Sequence, residues 1–437
     1  MFISDFPVRS ITGKKNASSL IEKLISTKKS NLYTISEDKN EYTRNHRMLD
    51  GSLQTVLDSE KLNISLLSNS TDYFANKDYV VVLHDPSDIR KKYSQHADHL
   101  CKVLDLDKKL INGYRSLSSA CVDIRGQNLR LLRCSPYSTT DTNYLKVEEL
   151  QLYTNDKLGN QSRAKEIKSV LDSGQGYNLK SLVKDHTSQI SKQIRTSNPN
   201  AVIVDVYDRG FDDAEIFEHE TDLGNLFVVR SKLNRTSNEL QMCSNGKEKK
   251  VKLRHQQFFQ GEEVFYQKMT LQGKTYQDAK GVFEWNEVEI KGNIYSVVKI
   301  RFFDRNGRNI FKNPMLLLTN MQVDRLSMAQ MVFELYCKRA KIEGVFKFCK
   351  EVLGWEDNRI PDYNVVKNLI SLIYFIAGYF YEIEDQLIHD KNIEWIAQLG
   401  GGKGKITRHF ILNGLAQLIN YKLAQRFFEQ QNISSEQ

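Results

Sequence analysis

Proline occurs only six times in 437 residues, which argues against long disordered tails. Cysteine is as scarce. Cys101, Cys121, Cys134, Cys243, Cys337 and Cys349 form no close pair, and none stands near a histidine at a zinc-finger interval. This pattern predicts a reducing compartment and no structural zinc. Long apolar runs are missing too. Met1–Lys15 lacks the apolar core of a secretory signal. The greasiest stretch, Leu369–Phe380, contains Ser371 and Gly378 and falls short of the roughly 20 residues that a membrane crossing needs. A buried helix is expected there instead.

What is present describes a soluble globular protein: 40% hydrophobic and 27% charged residues. The length exceeds one ordinary core, so a main domain with additions or insertions is expected. Sixty-two basic residues against 54 acidic ones give a net charge of +8. That suits a polyanionic partner and also any mildly basic enzyme.

Hydrophobic patterning divides the chain into a helical leader (1–76), the first part of an α/β core (77–235), a β-rich insertion (236–312), the second part of the core (313–360) and a helical C-terminal region (361–437). Helical patterns in the leader run around Ala17–Ile25 and Leu49–Leu57. Tyr79–Leu83 (YVVVL) and Ala201–Val206 (AVIVDV) are β-branched runs of the kind found in strands covered on both faces. Ser119–Ile124 and Leu129–Cys134, joined by Gly126-Gln127-Asn128, predict hairpin partners for the first run. Helices are expected at Gln161–Leu171, at Leu179–Ile194 and near Asp213–Glu218, and a further strand at Leu226–Val229. The insertion holds fourteen basic and nine acidic residues. Its run Lys247–Arg254 is either a basic hairpin facing a polyanion or a solvated edge that blocks aggregation. Pro314–Thr319 reads as a strand and Ser327–Leu353 as one long helix. Gly400–Lys405 is glycine-rich, but without a preceding strand or a Gly-Lys-Ser/Thr it reads as a turn and not a phosphate loop.

The chemistry concentrates in the long helix. Tyr336, Arg339, Glu343 and Lys350 stand at offsets that, on an ideal helix, share a stripe about 60° wide and roughly 21 Å long. A solvated face with an i,i+4 pair between Arg339 and Glu343 would explain that stripe by itself. Asp85 and Asp208, however, each follow a buried strand run by one or two residues. Strand ends in α/β sheets are where ligand-binding groups emerge. Carboxylates gathered from separate elements repel unless a cation lies between them. All-oxygen donors select Mg²⁺ or Mn²⁺ over zinc. Two such ions can activate a water or a 3′ hydroxyl for attack on a phosphodiester. His84, beside Asp85, reads as a packed residue and not a ligand.

The spacing Tyr336, two residues, Arg339, three residues, Glu343, six residues, Lys350 resembles the signature of bacterial insertion-sequence transposases of the Asp-Asp-Glu class. Within that class it is similar to the insertion-sequence-four family and to cut-and-paste transposases that proceed through DNA hairpins. Asp208-Arg209-Gly210-Phe211-Asp212-Asp213 with Leu226–Lys232 resembles the family's second-aspartate block, and Leu399–Asn420 its C-terminal segment.

The resemblance implies an α/β fold with a ribonuclease H-like mixed sheet, the insertion preceding the glutamate helix. It further implies that Asp85, Asp208 and Glu343 ligate two Mg²⁺ or Mn²⁺ ions. Tyr336, Arg339 and Lys350, with Arg230, Lys232 and Arg209 of the second block, would contact DNA. Met315 stands where relatives place a tryptophan that stacks on a flipped base, and methionine stacks less well, so the DNA hairpin stays open. The expected partners are double-stranded DNA, both terminal inverted repeats and target, and a second copy of the chain holding the other end. The setting would be the bacterial cytoplasm, at the nucleoid when DNA is bound. An inactive or domesticated DNA-binding descendant and a nuclease on the same fold are the other readings.

Overall fold

The computed structural model describes residues 10–52, 57–238, 250–256, 258, 261–271, 273–386 and 390–435. Gly246 and the first three residues of the Lys247–Arg254 run lie outside them.

Among the described residues a single mixed sheet of twelve strands organises the fold. The strands are β1 (Tyr79–Arg90), β2 (Cys101–Leu104), β3 (Leu110–Val122), β4 (Arg130–Tyr137), β5 (Val202–Tyr207), β6 (Leu226–Arg230), β7 (Thr236–Asn238), β8 (Lys250–Lys252), β9 (Glu262–Leu271), β10 (Lys274–Ile290), β11 (Asn293–Phe303) and β12 (Met315–Thr319). The principal order is β2-β3-β1-β5-β6-β12-β11-β10-β7-β8, with β4 on β3 and β9 on β10. Among the described strands β1/β5 and β5/β6 pair parallel and the rest antiparallel. The hairpin expected at Gly126 joins β3 to β4. Gly126 adopts φ +76°, a region open to glycine at little cost, while the Asp123 carboxylate accepts from the backbone N–H groups of Arg125 and Gln127.

Covering both faces explains the uninterrupted β-branched run of β1. Val81 and Leu83 join the main core, where the helix Tyr363–Gln386 supplies Leu369, Ile373 and Tyr374. Val80 and Val82 turn the other way, onto Ile190 and Ile194 of the helix Leu179–Ser197. That helix opens on a capping box between Asn178 and Ser181, which satisfies two of its free N–H groups.

The first described residues are helical, as expected, but the boundaries differ. The helix Lys39–Asp50 ends at Gly51, which takes φ +91°, and residues 53–56 of the pattern expected at Leu49–Leu57 lie outside the described residues. Leu20, Leu24 and Leu49 share the main core with Trp355 and Leu369. Leu369–Phe380 is the buried helix expected, and among the described residues no helix is long and apolar enough to cross a membrane. Gly400–Lys405 links the helices Lys391–Leu399 and Arg408–Ser435. A Cβ at Gly400 would stand 2.0 Å from the Phe410 carbonyl oxygen and one at Gly414 1.8 Å from that of Ile396, so glycine there serves close helix packing.

Candidate active site

Side chains alternate along a strand, so Asp85 shares the face of Val81 and Leu83. Asp85 does not lie beyond the end of its strand, as the sequence suggested. β1 continues to Arg90 because β3 keeps pairing with it as far as Gly113, with Asp85 opposite Ser118. The parallel neighbour is what stops: β5 ends at Tyr207, paired with His84. Asp208 follows directly. Both aspartates therefore sit where β1 outruns β5.

The glutamate segment is not one regular helix. Leu326–Cys337 is α-helical; then the N–H groups of Lys338, Arg339, Lys341 and Ile342 each bond a carbonyl only three residues back. The helix resumes over Ala340–Lys347 and ends in a π turn, Phe348–Val352. A tight turn and a π turn depart from 100° per residue in opposite senses, so the ideal stripe is only approximate. The side chains nevertheless meet the sheet in sequence order. The Tyr336 hydroxyl stands 3.4 Å from Asp208 Oδ1. The Arg339 guanidinium donates through Nη1 to Asp85 Oδ2 and through Nη2 to Glu343 Oε1, both at 2.8 Å. Lys350 Nζ donates to the Asp88 carbonyl oxygen at 2.7 Å.

Asp85 is buried, at 8% exposure. Burial pushes its carboxyl up to about 7, Arg339 opposes, and the charges of Asp208 and Glu343 add to the rise. The charges of Asp208 and Glu343 are thus both felt at Asp85. Burial works against the Arg339 charge, but Asp85 and the neighbouring anions hold its pKa above the ordinary value. Burial raises the Tyr336 phenol, helped by Asp208 and countered by Arg339 and Arg230. It lowers Lys350, against the pull of Glu356.

Three carboxylates are a hard-oxygen donor set, of the kind that suits Mg²⁺ or Mn²⁺. Among the described residues no three acidic, histidine or cysteine side chains already form a cage. The guanidinium bridges Asp85 and Glu343 instead.

The other expected contacts are distributed unequally. Arg230 ends β6 beside Tyr336. Arg209, in the short turn after Asp208, and Lys232 are exposed. Met315 begins β12 and packs against the main core. Two participants had no sequence signal. Glu356 receives the Arg90 guanidinium, its Nη2 at 2.8 Å, and lies 3.8 Å from Lys350 Nζ; the Asp88 contribution comes from its backbone. His84 is fully buried on the opposite face, with Nδ1 2.8 Å from Ser119 Oγ and Nε2 2.8 Å from Asp205 Oδ1. Burial depresses it to about 4, so it is a neutral imidazole at neutral pH. It is a packed residue, as its sequence context suggested.

Residues 183–380 match the family model described as the transposase DDE domain. The match supports a DDE transposase. It takes in Asp208, Tyr336, Arg339, Glu343 and Lys350 and begins after Asp85, whose place in the cluster rests on geometry. No curated protein matches the sequence.

Proposed function

We propose, from the transposase DDE domain over residues 183–380, that the protein is a cut-and-paste DNA transposase of the Tyr-Arg-Glu-Lys class, in the insertion-sequence-four family. Asp85, Asp208 and Glu343 are its catalytic carboxylates. The observation that carries this reading is the Arg339 guanidinium reaching both Asp85 and Glu343 while Tyr336 reaches toward Asp208. Acids from a strand, the residue after a second strand and a helix, far apart in the chain, are drawn together there. The succession of antiparallel β4, β3 and β1 and then parallel β5 and β6 supports a ribonuclease H-like core, with β7–β11 as the insertion.

Asp85, Asp208 and Glu343 would hold two divalent ions, Mg²⁺ or Mn²⁺. Bound there, such ions activate a water or 3′ hydroxyl and stabilise the departing oxygen of the phosphodiester. The remaining side chains bind and orient. Arg339 offers planar N–H donors suited to a phosphate. Lys350 and Arg230 add positive charge on either side, and Tyr336 a hydroxyl. Arg209 and Lys232 are exposed cations within reach of a DNA backbone near the second aspartate, and Met315 backs the site by packing. No protein nucleophile is needed. The substrate is double-stranded DNA, inverted-repeat ends and then target, with a second copy of the chain holding the other end. Action at the nucleoid in the cytoplasm follows from that substrate.

The test is Glu343→Gln, which removes one ligand charge and no phosphate contact. Incubated with Mg²⁺ and a labelled duplex carrying the inverted repeats that flank the gene, the parent protein gives cleaved and strand-transfer products. The variant binds and does not cut. Undiminished cutting by Glu343→Gln would rule the site out, and cleavage by the parent without a joined product would make it a nuclease.

A further inference from the structure

Behind the two aspartates, on the opposite face of β1 and β5, polar side chains form a continuous chain through the interior. His84, Ser119, His186, Asp205, Glu220 and Asn225 are each at most 1% exposed. Ser135 Oγ lies 2.8 Å from His186 Nε2, and His186 Nδ1 lies 2.7 Å from Ser119 Oγ. Ser119 Oγ then lies 2.8 Å from His84 Nδ1, and His84 Nε2 2.8 Å from Asp205 Oδ1. A neutral imidazole has one donor and one acceptor, and a hydroxyl one proton to give. With Asp205 ionised, one direction satisfies every member: Ser135 donates to His186, His186 to Ser119, Ser119 to His84, and His84 to Asp205.

The chain continues past the carboxylate. Asn225 Nδ2 stands 2.9 Å from Asp205 Oδ2 and 3.0 Å from Glu220 Oε2, and the Tyr207 hydroxyl donates to Glu220 Oε1 at 2.5 Å. The His84 and Tyr207 rings stack, centroids 4.8 Å apart and planes 14° from parallel. None of these polar side-chain atoms is left without a partner.

Apolar residues would fill this space without desolvation costs. What a saturated polar network adds is a unique geometry, because each bond fixes a distance and an angle. Its location tells which geometry. His84 immediately precedes Asp85, Tyr207 immediately precedes Asp208, and the two rings face each other across the last parallel pair of β1 and β5. We propose that His84, Asp205 and Tyr207 are positioning residues: through their mutual contacts they fix the separation of Asp85 and Asp208, and with it the divalent-ion affinity of the carboxylates. This rests on the reading of Asp85, Asp208 and Glu343 as an ion-binding site.

The experiment compares His84→Phe, Asp205→Asn, the double variant and the milder Tyr207→Phe, which keeps the ring and removes one hydroxyl. Mn²⁺ binding is measured on the free full-length protein by calorimetry, duplex binding in chelator, and cleavage across a Mn²⁺ titration. His84→Phe and Asp205→Asn are expected to weaken Mn²⁺ affinity on the order of 10- to 100-fold, the range for residues that orient metal ligands. Duplex affinity in chelator should stay within about twofold, and the double variant should lose little more than either single one, as coupled partners do. His84→Gln, which keeps a hydrogen-bonding amide, should recover part of the loss. Tyr207→Phe should show a smaller shift in the same direction. Parent-like Mn²⁺ affinity in any folded His84 or Asp205 variant overturns the proposal; if those two fail to fold, parent-like affinity in Tyr207→Phe does so. Glu343→Gln runs alongside: a variant that still cuts sinks the site assignment, whereas loss of cutting there with unaltered ion binding in the network variants sinks only the positioning role.

Discussion

His84 and Asp85 are neighbours in the chain and face opposite sides of one strand. The first has both ring nitrogens hydrogen-bonded and is sealed from solvent. The second shares a guanidinium with Glu343, whose side chain is 58% exposed. One face is buried and hydrogen-bonded throughout; on the other, Arg339 pairs with two acids. The proposed positioning and catalytic roles thus fall on opposite faces of one sheet.

The largest expected effect tests the reactive face. Asp208 is half-buried and takes one long bond from Tyr336. Asp208→Asn should lower duplex cleavage on the order of 10³-fold, comparable to losing a key electrostatic group, while the melting curve barely moves. A collapse in melting temperature would erase the contrast between the faces. The buried face should respond the other way. Asp205→Ala leaves His84 Nε2 without its acceptor, while Asn225 Nδ2 keeps Ser191 Oγ and Glu220 Oε2, and should cost about 1–3 kcal/mol in urea unfolding, the range for one orphaned buried group. A smaller effect belongs to Lys350, whose Nζ rests on the Asp88 carbonyl. If it is freed to meet a phosphate, Lys350→Ala should reduce the slope of log binding constant against log salt by about one, and an unchanged slope would remove it from the DNA contacts. Smallest of all, Arg301→Ala breaks a pair with Glu284 on the insertion. Arg301 is 47% exposed, so the loss should stay below about 1 kcal/mol, and a larger loss would show that the insertion is not the solvated surface it resembles.

The sequence was most informative where periodicity and chemistry coincide. Tyr79–Leu83 and Ala201–Val206 announced strands because both faces are covered, and the order Tyr336, Arg339, Glu343, Lys350 survived even though their helix breaks at Lys338–Arg339 and ends in a π turn. Spacing was legible there because side chains on adjoining turns still face one sheet edge. The extent of β1 was not, since a strand's length depends on how far β3 follows it, a matter of pairing between segments remote in sequence. The buried network was equally hidden: its members come from four strands, two helices and the loop before β6. Only Asp205, an acid inside an apolar run, hinted at it. Arg339 was foreseen as a phosphate ligand or as the i,i+4 partner of Glu343, and that pair forms; its second contact, with Asp85, was not legible, because the two residues lie far apart in the chain.

The strands read as an insertion continue the main sheet edge to edge. Hydrogen bonds run without interruption from β10 through β11, β12 and β6 to β5, whose last residue adjoins Asp208. Paired strands alone connect the β10–β11 ribbon to the second aspartate, so a protein that cuts DNA at that carboxylate would feel a pull on the ribbon through the sheet itself.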